Sequence, residues 1–430
     1  MPEHWEVRRL KSLLDNIVDS AALQERGEIK LALEHVESWT GRIRSTAAAA
    51  GFDGQGKCFR AGDILFGKLR PYLAKVTRPK RGGACVGEFL VLRPAQSDVG
   101  APYMEHFLRS KKVIDTVNSS TFGARMPRAD WTFVGGLPAC LPTPVEQAAI
   151  ALFLDDADRR IRRYIRAKER LIELLEEERR ATIHEAVTGR IDVRTGRPYP
   201  SYKDSGVEWL GEVPEHWERR RLKTLLHAVA RRSSTGEETL LSLRRDHGVV
   251  IYSEHFARPP QGGTLIGYKQ LAVGQLVVNR LQANNGLVFC SGVDGLVSPD
   301  YSVFDKTAPL QMKYMSDLLR TSAYRSHFRR VSTGLGTGTA GFLRLYDDVF
   351  LSTPVSLPRE DEQISILAYL DAADRRASAR RETLARQIDL LREYRTRLIA
   401  DVVTGKLDVR EAAANLPETA ERDMMKEAIP

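Results

Sequence analysis

Two stretches of the chain carry apolar residues at alternating intervals of three and four positions, the pattern of a helix with one buried face. The pattern predicts one helix over residues 145–188 and a second over residues 361–404. The same intervals are typical of a coiled-coil seam, so we expect the two helices to pack against each other. The alternative is that each helix packs only on its own domain.

Polar residues interrupt both apolar stripes, at Lys168 in the first helix and at Arg380 in the second. Polar seam positions favour one specific pairing. We expect an antiparallel pair, with each helix roughly 60 Å long at 1.5 Å per residue. The remaining stripe positions are Ile150, Leu154, Ala157, Ile161, Tyr164, Leu171, Leu175 and Glu178, and then Ile366, Leu370, Ala373, Ala377, Leu384, Gln387, Leu391, Tyr394 and Leu398.

Outside the helices the pattern changes to short apolar runs that end at Gly, Pro or Asn. The run 64–66 precedes Gly67, and the run 276–278 precedes Asn279. Such runs predict short strands in mixed α/β domains. Proline before each helix and glycine after it are the expected start and stop signals, at Pro144, Gly189, Pro358 and Gly405.

The chain is a tandem duplication. Residues 2–6 (Pro-Glu-His-Trp-Glu) recur as residues 214–218, an offset of 212. Further matches keep offsets of 212 or 211, and from the helices onward the offset is 216, where 187–194 matches 403–410. A repeat this long indicates two copies of one domain-plus-helix unit. The segments between the matches differ freely, as expected of one scaffold that carries two binding specificities.

These observations predict an α+β protein with two mixed α/β domains and two long antiparallel helices, related by an approximate two-fold axis. We expect the two domains to lie at opposite ends of the helical pair. The predicted parts are a first domain, a first helix, a linker, a second domain, a second helix and a tail, over residues 1–144, 145–188, 189–212, 213–357, 358–404 and 405–430.

Composition adds a preference for an anionic partner. The 430 residues carry a net charge of +9, which favours nucleic acid. No apolar run is long enough for a membrane span, and residues 1–5 lack the apolar core of a signal peptide, so we expect a cytoplasmic protein without a membrane partner. The cysteines lie outside Cys-x-x-Cys pairs and are expected to be small buried residues, at Cys58, Cys85, Cys140 and Cys290.

Three segments carry the resemblance to a known family. Residues 198–217 resemble the inter-domain strip of the specificity subunits of type I restriction-modification systems. The Pro-x-x-x-Glu-Gln opening of each helix and the Val-Thr-Gly-x-Ile/Leu-Asp-Val-Arg close are also typical of that family. The resemblance covers essentially the whole chain. The first copy departs from it, because it lacks the strip upstream of Pro2, and the tail from Glu411 onward has no counterpart.

The resemblance implies that each domain is a target-recognition domain for one half of a bipartite site in double-stranded DNA. It implies that the helices set the gap between the half-sites. It also implies two partner modification subunits, which use S-adenosylmethionine to methylate adenine N6, and restriction subunits that use ATP and Mg²⁺. This chain would then be a non-catalytic targeting subunit with no cofactor of its own.

Four segments resemble catalytic or nucleotide-binding motifs, and the sequence argues against each. Residues 51–58 approach a P-loop but end in Cys58 where Ser or Thr is required. Residues 336–341 match Gly-x-Gly-x-x-Gly but lie between a helical stretch and a strand-like one, so we expect a flexible loop, with phosphate contact as the alternative. Residues 28–30 are too short a nuclease fragment, and residues 258–261 lack the flanks of an amino-methyltransferase motif.

The candidate DNA contacts are basic or amide side chains in the variable segments. Arg, Lys, Asn and Gln can pair with base edges, and basic residues also bind phosphate. The alternative for any one of them is a solvated charged surface. The candidates are Lys68, Arg70, Lys75, Arg78, Lys80, Arg81, Arg125, Arg128, Arg280, Gln282, Asn284, Asn285, Arg329, Arg330 and Arg344.

A coiled-coil scaffold that assembles proteins without recognising DNA is the rival hypothesis. The basic charge and the divergent loops on a repeated scaffold favour DNA recognition, because an adaptor has little reason to vary its loops.

Overall fold

The computed structural model describes residues 1–22, 29–44, 55–121, 126–256, 263–335 and 342–416. The chain divides into two compact units. The first unit is Met1–Arg170 with Leu384–Pro430, and the second is Leu171–Thr383. Each unit therefore contains part of both long helices.

The first unit begins with a domain of short strands and helices. Its elements before the long helix are β1 Glu6–Arg9, α1 Leu10–Leu13, β2 Leu14–Ile17, β3 Ser20–Ala22, β4 Ile29–Leu31, β5 Gln55–Phe59, β6 Ile64–Gly67, β7 Val76–Thr77, β8 Gly83–Cys85, β9 Phe89–Pro94, α2 Ala101–Arg109, α3 Lys111–Ser119, α4 Trp131–Gly136 and β10 Pro138–Leu141. The first long helix is α5, Pro144–Val187.

The second unit contains a similar domain with additional strands and helices. Its elements are β11 Tyr202–Asp204, β12 Glu212–Pro214, β13 Glu218–Arg221, β14 Leu226–Ala228, β15 Leu241–Arg244, β16 Gly248–Ile251, α6 Tyr252–His255, β17 Lys269–Leu271, β18 Leu276–Asn279, β19 Val288–Cys290, β20 Gly295–Val297, β21 Tyr301–Lys306, α7 Met312–Leu319, α8 Ser322–Val331, β22 Thr333–Leu335, β23 Phe342–Arg344, α9 Asp347–Ser352 and β24 Pro354–Leu357. The second long helix is α10, Glu360–Val403, and α11 Arg410–Ala414 follows it.

The same four-stranded antiparallel sheet forms the centre of both domains. Its order is β2-β9-β6-β7 in the first and β14-β21-β18-β19 in the second. Strand β6 is buried on both faces, because Ile64 and Phe66 belong to one apolar cluster and Leu65 to another. Burial on both faces explains why the central strands are continuous apolar runs rather than alternating ones. The predicted strands at 64–66 and 276–278 are confirmed.

A buried carboxylate joins the start of each long helix to the Pro-Glu-His-Trp segment. In the second unit Glu362 accepts hydrogen bonds from Trp217 Nε1 at 3.1 Å and Tyr199 Oη at 2.7 Å, and His216 Nε2 lies 2.8 Å away. In the first unit Glu146 lies 2.9 Å from His4 Nε2. Two sequence motifs about 145 positions apart are thus parts of one structural contact.

Glu146 also caps its own helix. It accepts hydrogen bonds from the backbone and hydroxyl of Thr143 at 3.1 and 2.9 Å, which is the capping-box arrangement. Burial works to raise the pKa of Glu146, but the hydrogen bonds from His4 and Thr143 outweigh it and lower the pKa. The carboxylate is therefore held ionised at the helix start, where negative charge is favourable.

Each long helix ends against a Pro-Glu-His-Trp segment. Gly189 and Gly405 have positive φ of +74° and +67°, as a C′ residue requires. The amide of Arg190 donates to Glu185 O at 2.9 Å in a Schellman closure. A Cβ on Gly189 would lie 2.5 Å from the ring of Pro214, so only glycine fits this contact.

The long helices pack antiparallel within each unit. In the first unit Asp158 pairs with Arg395 at 3.5 Å, and Lys168 donates to Gln387 at 2.6 Å. In the second, Arg179 pairs with Asp374, and Glu176 pairs with Arg381. The partner number falls as the residue number rises, which defines the direction. The expected helix pairing is confirmed, and the helices begin and end one residue from the predicted bounds at 145, 188, 361 and 404.

The seam differs from the predicted stripes at several positions in both helices. Ile150, Leu154, Ile161, Leu175, Ile366, Leu370 and Leu398 are buried as expected. Tyr164 and Tyr394 are more than half exposed, whereas Ile388 and Arg395 are buried. Near its C-terminal end the α10 seam passes through Arg395, whose guanidinium pairs with Asp158, rather than through the neighbouring tyrosine. An apolar stripe alone does not reveal such a polar position.

The cysteines are free thiols of unequal burial. Cys85 is buried, as expected, whereas Cys58, Cys140 and Cys290 are half-buried. Burial raises the pKa of the Cys85 thiol to about 12, so it is a protonated and unreactive packing residue at neutral pH.

We predict that Gly189→Ala destabilises the protein more than Gly196→Ala. Both glycines have positive φ, of +74° and +70°, but a Cβ on Gly196 meets nothing within 4 Å. The control should lose about 1 kcal/mol from backbone strain, and Gly189→Ala roughly 1–3 kcal/mol more from overpacking against Pro214. Urea unfolding of the full-length variants measures both losses, and equal losses would contradict the proposed contact.

Candidate nucleic-acid interface

Three segments that are distant in sequence meet at one end of the central sheet in the first unit, where β6 ends and β9 begins. We call this end of the sheet the edge. The amide of Lys68, after β6, donates to Glu88 O at 2.9 Å, just before β9. The third segment is fixed to the first by two backbone hydrogen bonds of 2.8 Å, from Ala129 N to Lys68 O and from Arg70 N to Pro127 O. Lys68, Arg70 and Arg128, all predicted DNA contacts, are therefore brought together.

The side chains at this edge are basic, and two of them are exposed. Arg128 Nη2 donates to Glu88 Oε1 at 2.5 Å, yet 58% of the Arg128 side chain remains exposed. Arg70 is exposed and adopts a left-handed backbone conformation with φ of 51°. The β-bridge between Leu69 and Arg128 holds the two loops side by side. The backbone hydrogen bonds thus hold the loops in place, and the exposed guanidinium groups of Arg70 and Arg128 face solvent.

The second unit has a similar edge that shares one of these backbone hydrogen bonds. The amide of Leu345 donates to Arg280 O at 2.9 Å, as that of Ala129 does to Lys68 O in the first unit. Arg344 Nη2 lies 3.3 Å from Asp300 Oδ1. Arg280 donates through Nε to Asp300 O at 2.7 Å, and only 17% of its side chain is exposed. The predicted contacts Arg280 and Arg344 are thus also brought together, although Arg280 is largely occupied by backbone carbonyls.

Two half-buried lysines support these edges, and the sequence interpretation missed them. Lys57 Nζ donates to Phe89 O at 2.9 Å, and Lys269 Nζ donates to Tyr301 O at 2.5 Å. Burial lowers the pKa of both lysines, and the nearby cations Lys68 and Arg280 lower it further. Lys57 and Lys269 are 212 positions apart, so the duplication itself carried a signal for them.

The remaining predicted contacts in the first unit are divided. Lys75 donates to Leu33 O at 2.6 Å, and Arg78 pairs with Glu105 at 3.3 Å. Both are thereby engaged inside the domain. Lys80 and Arg81 are exposed in a turn, and Arg125 lies outside the described residues.

In the second unit, Gln282, Asn284 and Asn285 lie in the turn of 3₁₀ helix that follows β18. Gln282 is exposed, and the two asparagines are half-buried. Arg329 and Arg330 are exposed in the last turn of α8, the helix whose Arg325 donates to Asn284 O. These residues form a second basic surface along α8.

The motif-like segments of the sequence fall largely outside the described residues. Residues 258–261 and 336–341 lie wholly outside them, as do Glu28 and residues 51–54. The described part of 51–58 belongs to strand β5, which ends at Phe59. Among the described residues, no group of three or more His, Cys, Asp or Glu side chains is placed to hold a metal ion.

A helix cap anchors the segment that carries Arg128. The Asp130 carboxylate accepts a hydrogen bond from Thr132 N at 2.7 Å at the start of α4. The hydrogen bonds from Thr132 lower the pKa of Asp130. Arg128 is therefore followed directly by Ala129, which is bonded to the segment after β6, and by Asp130, which caps α4.

The chain is similar in sequence to one curated protein and in fold to solved structures. The type I restriction enzyme EcoDI specificity subunit of Escherichia coli is 26% identical over 157 residues, which are 35% of this chain and 34% of the relative. The match thus spans about a third of that relative's length. No protein-family model matches the chain.

Two solved structures share the fold. A chain from the type I R-M system studied for complex assembly and conformational transition aligns with a TM-score of 0.68 at 16% identity, over 95% of this chain and 99% of its own. The HsdS subunit from Thermoanaerobacter tengcongensis aligns with a TM-score of 0.54 at 16% identity, over 95% and 98%. The resemblance to type I specificity subunits, and the mixed α/β fold with long helices, are thereby confirmed.

No helix formed by the described residues is both long enough and apolar enough to cross a membrane.

We predict that Asp130→Ala lowers the free energy of unfolding by about 1 kcal/mol, because it removes the cap of α4. Asp130→Ser is the matched control, since serine also caps helices and should retain most of the stability. Below the pKa of Asp130 in the folded state, the protonated carboxyl caps the helix less well. The difference in free energy of unfolding between the wild type and Asp130→Ala should therefore shrink at acid pH. Urea unfolding at pH 7 and at low pH tests both points, and equal stability of the two variants would contradict the cap.

Proposed function

We propose that this chain is the DNA-specificity subunit of a type I restriction-modification complex. One domain would recognise each half of a bipartite target in double-stranded DNA. The observation that carries the proposal is the repeated edge, in which the matching bonds from Ala129 N to Lys68 O and from Leu345 N to Arg280 O hold segments with different side chains in the two units. Lys68 in one unit corresponds to Arg280 in the other, and Arg70 corresponds to Gln282. One scaffold with two sets of donors is what a bipartite target requires.

In this proposal the chemistry belongs to partner subunits. Two modification subunits would bind S-adenosylmethionine and methylate adenine N6, and restriction subunits would use ATP and Mg²⁺. This chain would supply sequence recognition and hold no cofactor of its own. The net charge of +9 supports a DNA partner, because neutralised phosphates release counterions on binding.

The long helices would set the gap between the two half-sites. Each has 44 residues, which corresponds to about 66 Å of helix. Interhelical ion pairs such as Asp158 with Arg395 favour one register, because a slipped register would leave buried charges unpaired. A fixed register gives a spacer of fixed length.

A scaffold protein that does not recognise DNA remains the rival proposal. It would use the same helices, but it gives no reason for a matched basic edge in both units. The two proposals differ in what deletion of the gene does to DNA methylation.

The deciding experiment combines affinity purification of the tagged protein from its own cells with genome-wide mapping of N6-methyladenine, with and without the gene. We expect a methyltransferase to co-purify and one bipartite motif to lose its methylation when the gene is deleted. Partners without any methylation change would favour the scaffold.

We predict that Lys68→Ala weakens recognition of one half-site only, and Arg280→Ala of the other only. Loss of a base contact by Lys68, or of the loop conformation that Arg280 holds through the carbonyls of Asp300 and Pro299, should reduce discrimination roughly tenfold at the affected half-site. The measurement is binding of the purified complex, at one fixed salt concentration, to the native duplex and to duplexes with either half-site scrambled. Each variant is the control for the other, and equal loss at both half-sites would rule out one reader per unit.

We also predict that lengthening both helices changes the accepted gap and not the half-site sequences. Seven residues inserted after Arg170 and after Thr383 keep the 3.5-residue repeat and add about 10.5 Å to each helix. At about 3.4 Å per base pair, the gap should grow by roughly three base pairs. Methylation mapping in cells that carry the variant gives the gap directly. A seven-residue insertion in α5 alone, which breaks the pairing, should abolish methylation, and an unchanged gap in the double insertion would refute the spacer role.

A further inference from the structure

Each basic edge contains one acidic side chain at the same position. Glu88 precedes β9 and Asp300 precedes β21, 212 positions apart. Each faces an arginine from the distant third segment: Arg128 lies 2.5 Å from Glu88, and Arg344 lies 3.3 Å from Asp300. The two arginines are 216 positions apart, the later offset of the duplication. The ion pair is therefore a repeated feature of the scaffold and not a chance surface contact.

The acidic residue of each pair is attached to rigid structure. The carbonyl of Glu88 accepts a hydrogen bond from Lys68 N, and the next carbonyl, of Phe89, accepts one from the half-buried Lys57. In the second unit Arg280 binds the carbonyl of Asp300, and Lys269 binds that of Tyr301. Glu88 and Asp300 are thus fixed just before a central strand, whereas Arg128 lies in the segment before α4 and Arg344 is the last residue of β23.

Stability does not account for these pairs. A partly exposed ion pair contributes about 0–1 kcal/mol. A carboxylate at a DNA-binding surface also costs affinity, because it repels phosphate. An acidic residue retained at this place in both units therefore needs another role.

The geometry leaves part of each arginine available. A guanidinium has five N–H donors in a planar fork, and the pair with Glu88 or Asp300 uses only some of them. The Arg128 side chain is 58% exposed, and the Arg344 side chain is 23% exposed. Among the described residues, Arg344 Nε and Glu88 Oε2 are buried without a hydrogen-bond partner. Each arginine thus keeps N–H donors that its carboxylate partner does not use.

We propose that Glu88 and Asp300 are positioning residues that orient Arg128 and Arg344 to recognise a guanine in each half-site. This inference rests on the proposed function. Arginine pairs with guanine O6 and N7 through two parallel hydrogen bonds, which require a fixed orientation of the fork. A phosphate contact requires only a nearby positive charge. A carboxylate partner is therefore useful for base recognition and harmful for simple phosphate binding.

The test uses the complete complex with its modification subunits and duplexes that carry the mapped target. Glu88→Gln is the main variant, and Glu88→Asp is the conservative control that keeps the charge. Each is compared with Arg128→Ala and with the double variant that combines Glu88→Gln and Arg128→Ala. Binding is measured on the native duplex, on a duplex with the first half-site scrambled, and on native duplexes in which single guanines are replaced by 7-deazaguanine, which lacks the N7 acceptor.

We expect Glu88→Gln to reduce discrimination at its own half-site about tenfold and to leave the other half-site unchanged. The affinity of Glu88→Gln for the duplex with the scrambled half-site should stay equal or rise, because a charge that repels phosphate is removed. A misfolded variant would instead lose affinity for that duplex. One 7-deazaguanine should weaken the wild type and have little effect on Glu88→Gln or Arg128→Ala. The double variant should be no worse than Arg128→Ala alone, and Glu88→Asp should retain most of the discrimination. Asp300→Asn should give the same result at the second half-site.

Unchanged discrimination in Glu88→Gln would overturn the inference, as would an equal loss of affinity for every duplex. A wild type that tolerates 7-deazaguanine at all positions, combined with a loss in Glu88→Gln, would assign direct base contact to the carboxylate and also overturn the positioning role. A wild-type complex without sequence preference would overturn the proposed function itself, and this inference with it.

Discussion

A buried carboxylate in the first turn of each long helix is the contact on which the rest of the structure depends. Glu362 gathers Trp217, Tyr199 and His216 around it, and Glu146 holds His4 and caps its own helix. A buried ionised group is tolerated only when its hydrogen bonds are satisfied. The helix start, the first residues of the domain and the neighbouring backbone must therefore assemble together, and this fixes the direction in which each helix leaves its domain.

A second set of contacts ties each domain to the end of a long helix. Val187 O accepts a hydrogen bond from Tyr314 Oη at 3.0 Å, and Val403 O accepts one from Tyr103 Oη at 3.2 Å. Both tyrosines are fully buried, and burial raises their pKa far above its usual value, so they remain neutral donors. The start of one long helix and the end of the other thus lie in the same unit. The loops at the edge of the central sheet take no part in these contacts and can differ between the two units.

The sequence was sufficient for the parts of the fold that obey simple periodicity. The long helices and central strands follow from apolar spacing, and the duplication follows from matched segments such as 2–6 and 214–218. The polar seam position at Arg395 could not be predicted, because its burial depends on Asp158 of the other helix. Contacts between distant segments have no local signature.

The candidate site was predictable only in part, for the same reason. Residue type alone does not distinguish Arg128, which is exposed beside Glu88, from Arg78, which pairs with Glu105. Lys75 carries the positive charge expected of a phosphate contact, but its ammonium group donates a hydrogen bond to Leu33 O inside the domain. Comparing the two copies position by position is more informative, because the offset of 212 alone matches Lys57 with Lys269 and Glu88 with Asp300.

The composition of the first unit has a consequence for synthesis of the protein. Its apolar core includes Leu398, Ile399, Val402 and Val403, which lie about 300 positions after Tyr103 in the chain. At 5–20 residues per second, the ribosome needs roughly 15–60 s to make that intervening segment. During this interval the first domain has emerged with part of its core exposed to solvent, whereas the second domain follows directly on the α5 residues that it needs. The apolar core of the first unit is therefore complete only after the second helix has been synthesised.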